Sequence, residues 1–247
     1  RLLMEDVSDL ILGRVFPQPA DLFDKLSKET HIRALQCGEW GPFNHVIAGL
    51  DIAFHDLLAR RAKLPMAQFL SPDATSSVPT YASGIHIGDA DRIIDESRAL
   101  GFDSFKVKVG FNLATDIDSV KRICNTLGEN ERLFTDANQG WGAADAIAFL
   151  AGLDRYPVGW LEEPIPADAP AADWQRVAAS SSIPVAGGEN IVGTVDFDTA
   201  ISSGIFGVIQ PDVAKWGGGS KGRAVGQKAT APGRLDGAQF RGGGRGL

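Results

Sequence analysis

The sequence is short of the residues that build covalent or metal-thiolate frameworks. Cys37 and Cys124 are its two cysteines, too few for a disulfide scaffold and without the spacing of a thiolate metal site. They read as two idle or buried thiols in a reducing compartment. Positive charge is scarce as well. Against 31 Asp and Glu there are 24 Lys and Arg, a net charge of −7, which argues against the broad basic footprint of a nucleic-acid binder. It leaves room for a small anionic substrate, because a bound cation and a few local lysines set the sign of a pocket. No run of about 18 apolar residues occurs and no leader-like segment, so neither a membrane span nor a secretory signal is expected, and a cytoplasmic location follows as the default. The glycine runs at 187–188 and 217–219 fit neither a P-loop nor a dinucleotide fingerprint.

What is present is ordinary globular material, 44% hydrophobic and 22% charged, enough to bury a sizeable core. Residues 1–77 read as helical. Leu2 to Ile11 and Asp21 to Leu26 give short amphipathic turns around the break at Pro17, Gln18 and Pro19. His45 to Ala59 is a strong helix, with apolar residues at 46, 47, 50, 53, 54, 57 and 58 in the three-to-four repeat of a buried face. From Val78 the rhythm changes to strand–helix alternation, which predicts a parallel sheet with helices outside it. Strands are expected near 78–83, 104–109, 133–136, 159–162, 184–187 and 207–210, and helices near 89–100, 115–127, 143–153, 171–180 and 195–203, with Asp89 and Thr115 as N-caps. Beyond Gly219 the chain is rich in Gly and Arg and poor in apolar periodicity.

Chemistry-bearing side chains recur at the ends of the apolar runs. Lys106 and Lys108 flank Val107 and so share one face of a strand. Asp136, Glu162 and Glu189 end the next runs, spaced roughly one strand-plus-helix unit apart. One such acid is commonplace as a solvated loop carboxylate; three in register at strand ends are not. Brought together they repel unless a cation lies between them, and an all-oxygen set suits Mg²⁺ better than zinc. Asn138 lies on the same face as Asp136 and can hydrogen-bond a ligand carboxylate or substrate. Glu163 points away from Glu162 and reads as a supporting acid. Trp141 and Trp216 sit just past strand ends and read as packing residues, as do His31, His45 and His55 as satisfied structural histidines.

The ordered series FKVKVG (105–110), TDANQGW (135–141), WLEEP (160–164), GGEN (187–190) and QPDVAKWGG (210–218) resembles the enolase superfamily, in its mandelate racemase/muconate lactonizing enzyme branch. The resemblance runs from about Val46 to about Gly219. It implies a TIM-type (β/α)7β barrel over 78–247, incomplete after about 219, and a partial N-terminal α+β capping domain over 1–77, without the antiparallel strands with which such a cap begins. It implies Mg²⁺ held by Asp136, Glu162 and Glu189, Lys108 as the base that removes a proton, and Lys106 stabilising the substrate carboxylate, a pattern general to that superfamily. Asp212 matches the aspartate that orients a histidine base in mandelate racemase-like members. The histidine position falls at Gln239, and glutamine takes up no proton at neutral pH. His86 follows the first strand at the same rim and can line the pocket, and Lys215 can shape the turn beneath it. The implied activity is Mg²⁺-dependent abstraction of the α-proton of a small carboxylate substrate to give an enediolate, leading to racemisation, epimerisation or dehydration of a hydroxy acid or acid sugar, in a homo-oligomer. The alternative is a non-catalytic metal-binding relative with a degenerate C-terminal third.

Overall fold

A computed structural model describes residues 2–230 and a two-residue strand at 235–236. The described chain divides into two compact units, one of residues 2–77, 188–199 and 210–230, the other of 78–187 and 200–209. The Gln239 position and the segment Phe240–Leu247 lie outside the described residues.

The N-terminal part of the first unit is helical, as expected, but in longer pieces. After a π-helical turn at Leu3–Val7 come α1 (Ser8–Ile11), α2 (Pro19–Cys37), α3 (Trp40–Ala62) and α4 (Met66–Leu70). The Pro17–Pro19 break ends nothing downstream. Pro19 occupies the first turn of α2, where its missing N–H is unneeded. Gly38, at φ +69°, terminates the helix in the left-handed conformation that glycine adopts freely. The expected short turn over Asp21–Leu26 is thus the start of a nineteen-residue helix that buries Leu22, Phe23 and Leu26.

The second unit alternates as the rhythm predicts. β1 (Ala82–His86), α5 (Ala90–Ala99), β2 (Ser104–Lys108), α6 (Leu113–Cys124), β3 (Arg132–Asp136), α7 (Ala143–Gly152), β4 (Val158–Glu162), α8 (Ala171–Ala178) and β5 (Val185–Gly187) follow in order. After α9 (Thr194–Ser203) comes β6 (Val208–Ile209). The six strands pair in sequence order, all parallel. Strand positions facing the helices, such as Phe105, Val107, Leu133, Leu161 and Val185, are buried with Ile94, Val120, Ile123, Phe149 and Val177 from the helices. Each such side chain removed from water contributes about 1.5–3 kcal/mol.

Two local expectations are corrected. The first strand is not 78–83: it starts at Ala82 and takes in His86 as its last residue, so this histidine belongs to the sheet and not to the loop after it. Thr115 is not an N-cap. α6 opens two residues earlier, and the Asn112 side chain accepts the Thr115 N–H at 3.1 Å. Asp89 does occupy the N-cap position of α5, without a capping bond from its side chain.

The first unit also holds a helix where no periodicity was visible, α10 (Gly218–Thr230), followed by β7 (Leu235–Asp236). Its buried positions are Gly218, Gly222, Val225 and Ala229, a helical spacing built mostly from residues with little or no side chain. A Cβ on Gly222 would lie 2.4 Å from Val213 Cγ1, so glycine is what permits the close approach.

Candidate active site

The C-terminal ends of the first four strands place their last side chains in one lateral row. His86 pairs with Lys108, Lys108 with Asp136, and Asp136 with Glu162 as register partners across β1 to β4. Register partners in a parallel sheet point to the same side, so sequence alternation and strand pairing together assemble these four groups.

Within the row, lysines and carboxylates are interleaved. Lys106 Nζ donates to both oxygens of Glu162, at 2.7 and 2.8 Å, and lies 3.2 Å from Asp136 Oδ2. Lys108 Nζ donates to Asp136 Oδ2 and to Asn138 Oδ1, each at 2.5 Å. Asp136 and Glu162 are 1% exposed and Lys106 4%, so these charges meet at low effective dielectric. Burial favours the neutral form of Lys106, yet the Glu162 and Asp136 carboxylates hold its ammonium above the usual lysine range. Burial likewise opposes ionisation of Asp136, but Lys106 and Lys108 hold its carboxyl below the usual carboxylate range.

Aromatic rings line the neighbouring strand positions. Phe134 and Trp160 stack at 3.6 Å between centroids, Tyr81 meets both edge-on, and Lys106 Nζ lies 5.5 Å from the Tyr81 centroid. Gly159 makes room for the stack, since a Cβ there would meet the Phe134 ring at 2.4 Å.

The loops after β3 and β4 are locked in unusual backbone. Asn138, Gln139 and Glu163 have φ values of +44°, +65° and +39°. Such conformations cost on the order of 1–3 kcal/mol each and persist where the surroundings enforce them. Here Gln139 N–H donates to the Glu163 carbonyl at 2.7 Å and Ala167 N–H to Gln139 Oε1 at 2.8 Å. Glu163 is buried, and its Oε2 accepts from Gln139 Nε2 at 3.4 Å. Gln139 is the residue that sequence reading passed over. Its signal was the TDANQGW motif, in which it stands between Asn138 and a glycine.

In the first unit, Glu189 Oε1 accepts from Lys215 Nζ at 3.3 Å, and Lys215 also reaches Asn190 Oδ1 at 3.0 Å. Asp212 does not meet a histidine among the described residues. Its Oδ1 accepts the Ala214 and Lys215 N–H groups, at 2.9 and 3.2 Å, and so fixes the turn that presents Lys215. Trp141 packs on Phe149, and Trp216 on Phe23 and Phe197, as packing residues should. His31 rests against Trp40, and His55 bonds to Asp51.

A hard divalent cation fits the donor chemistry of the row. Asp136 and Glu162 are buried oxygen donors adjacent in register, and the ammonium of Lys106 stands between them where a metal cation would neutralise the same charges. Among the described residues, no three His, Cys, Asp or Glu side chains are gathered into a metal-ready cluster.

Residues 89–235, more than half of the chain, match the family model described as enolase C-terminal domain-like. The chain belongs to the enolase superfamily. Within it, the match is to the C-terminal domain of the mandelate racemase/muconate lactonizing enzyme family. A mandelate racemase/muconate lactonizing enzyme from Bordetella bronchiseptica superposes with a TM-score of 0.92 at 39% identity, covering 96% of this chain and 65% of that one. An enolase from Bradyrhizobium, solved with magnesium and mandelic acid, gives a TM-score of 0.85 at 29% identity over 97% of this chain and 65% of its own. Among curated relatives, D-galactarolactone cycloisomerase of Agrobacterium fabrum is 32% identical over 79% of this chain and 53% of the enzyme. L-talarate/galactarate dehydratase of Salmonella typhimurium is 29% identical over 87% and 54%. The chain thus spans about half the length of these curated relatives. No helix among the described residues is long and apolar enough to cross a membrane.

Proposed function

We propose that this superfamily member removes the α-proton of a small carboxylate substrate with the help of Mg²⁺. The observation that carries the reading is the pair of same-face lysines on β2, each in contact with a strand-end carboxylate, Lys108 with Asp136 of β3 and Lys106 with Glu162 of β4. Asp136 and Glu162 would hold the cation, with Glu189 as the third ligand that the motif resemblance implies. When bound, Mg²⁺ supplies positive charge to the substrate carboxylate as the α-proton leaves.

The remaining work falls to the chain's own side chains. Lys108 is the base. It stands in the row beside Asp136 and is partly exposed, within reach of an incoming substrate, and proton transfer to a placed side chain contributes about 10²–10⁴-fold. It takes up the α-proton on Nζ as the free amine. Lys106, deeper and fully enclosed, keeps its charge and faces the substrate carboxylate. Asn138, held in left-handed backbone, fixes Lys108 through its Oδ1. Glu163 and Gln139 keep the two loops in place. The deprotonated substrate then takes a proton from water on its other face while Lys108 gives its proton to water, which gives racemisation or epimerisation, or its β-hydroxyl leaves as water with the proton that Lys108 holds, which gives dehydration. Lys215, which reaches Glu189, and Asp212, which fixes the turn that carries Lys215, support that part of the site. The small carboxylate substrate, a homo-oligomeric state and the division at residue 77 into cap and barrel belong to the same proposal.

Calorimetric titration with Mg²⁺ tests the metal claim. The unaltered chain is expected to bind and Glu162→Gln to lose at least tenfold in affinity, about 1.4 kcal/mol. Equal affinity in both would refute the assignment of Glu162.

A further inference from the structure

His86 is the one member of the strand-end row to which the chemistry above gives no task. It is the register partner of Lys108, so its side chain leaves the sheet on the same side as the base. Its Nδ1 accepts the Gly88 N–H at 3.1 Å, in a turn so tight that a Cβ on Gly88 would lie 3.2 Å from that nitrogen. An imidazole nitrogen that accepts cannot carry a proton, so the neutral ring carries its proton on Nε2. Nε2 meets no protein group among the described residues, and the residue is exposed. A donor of fixed direction therefore faces outward beside the base.

The ring has a companion. Phe111 packs against His86 in a tilted contact, 4.4 Å between centroids with 39° between planes, although it is 61% exposed. A large apolar side chain left in water on a mobile loop would be unremarkable, but this loop is pinned. The buried Asp116 carboxylate accepts the N–H groups of Gly110, Phe111 and Asn112 at 2.9, 2.9 and 3.2 Å. Gly110, at φ +98°, brings the loop within 2.7 Å of the Ala137 carbonyl, measured from the Cβ it lacks. Three backbone donors on one carboxylate fix the backbone that carries Phe111.

Resting on the reaction proposed above, we infer that His86 and Phe111 form the recognition edge for the part of the substrate that does not react: His86 donates Nε2–H to a hydroxyl or carboxylate oxygen on the substrate's carbon chain, and Phe111 covers the adjacent C–H face. The pair then selects hydroxyl-bearing acids over acids with an apolar body, because a substrate without an acceptor leaves the donor unpaired once water is displaced.

Two measurements test this. The first needs no substrate. In the ¹⁵N-labelled chain at mildly alkaline pH, long-range nitrogen–proton correlations, with the His86 signals identified by their loss in His86→Gln, are expected to show the Nε2–H tautomer. The Nδ1–H tautomer would overturn the inference, whatever the protein's activity. The second compares Mg²⁺-dependent α-proton exchange of galactarate, a polyhydroxylated acid, with that of mandelate, whose body is a phenyl ring. In His86→Leu the kcat/KM ratio of galactarate over mandelate is expected to fall about tenfold, carried by KM, and His86→Gln to regain part of it by keeping an N–H donor. An unchanged ratio, or a loss confined to kcat, would overturn the inference. If the unaltered chain exchanges neither probe, the proposed reaction fails first and this selectivity with it, while the tautomer result separately decides the geometry.

Discussion

Lys106 Nζ lies 2.7 and 2.8 Å from the two oxygens of Glu162, and all of these groups are shut away from solvent. The ammonium, also 3.2 Å from Asp136 Oδ2, offsets the charge of both buried carboxylates. Removing it while leaving the acids should therefore cost more than removing a surface charge. Lys106→Met is expected to destabilise the metal-free chain by about 3–5 kcal/mol, the usual result of stranding a buried charge. Mg²⁺ should restore part of that loss by binding the folded form alone. Urea unfolding with and without Mg²⁺ measures both effects, and a variant as stable as the parent in EDTA would contradict them.

A second ionic joint holds α10 to α3. Asp51 is fully buried; it accepts Ser220 N–H at 3.0 Å and Ser220 Oγ–H at 2.6 Å and lies 3.2 Å from His55 Nδ1. Burial opposes its charge, but His55 and Ser220 hold the carboxyl below its ordinary 3.8. The stability this gives is complete above 3.8 and is lost as pH falls through the lowered folded value. The Asp51 hydrogen bond holds His55 above its ordinary 6.5, against burial and the Arg223 charge. That contribution is complete below 6.5 and is lost as pH rises through the raised folded value. Stability from this joint is thus expected to be greatest between 3.8 and 6.5. Ser220→Ala should cost about 1.5–3 kcal/mol, and Asp51→Asn should flatten the profile. Thermal melts across this pH range would contradict the assignment if Asp51→Asn kept the parent's profile.

The two thiols should react at very different rates. Cys37 is exposed, whereas Cys124 is buried in α6 and its thiol is pushed up to about 11 by burial. Since the thiolate is the reactive form, one thiol per chain is expected to react quickly with a disulfide reagent and the second only on unfolding. Two fast thiols in the native chain would show that α6 opens readily.

Gly222→Ala tests the packing of α10. The added Cβ would meet Val213 Cγ1, and overpacking of this kind typically costs about 1–3 kcal/mol. A neutral substitution, read by urea unfolding, would mean that the helix shifts freely.

Much of the strand–helix rhythm was legible because parallel strands are short apolar runs with chemistry at their ends, as Lys108, Asp136 and Glu162 illustrate. The interleaving of lysine with carboxylate was not. Strand alternation places Lys106 and Lys108 on one face, but the reach of each ammonium to a particular acid depends on register between strands 28 and 56 residues apart. α10 escaped notice because three of its four buried positions are Gly218, Gly222 and Ala229, which a search for large apolar residues passes over. His86 was placed beyond the first strand because Val78–Thr80 look more strand-like than Ser83–Gly84, yet pairing with β2 continues to His86. The strained backbone at Asn138, Gln139 and Glu163 had no local signal, since none of them is glycine; tertiary hydrogen bonds impose it.

The most direct test of the account is loss of the α-proton signal of galactarate and mandelate by ¹H NMR in D₂O, with Mg²⁺ and with EDTA, for the unaltered chain and for Lys108→Met. Exchange that requires Mg²⁺ and falls by at least about 10²-fold in Lys108→Met is the expected result. Equal exchange in Lys108→Met would remove this lysine from the chemistry. If the unaltered chain exchanges neither acid while Mg²⁺ still binds, the proposed reaction is contradicted and the chain is a metal-binding relative without turnover.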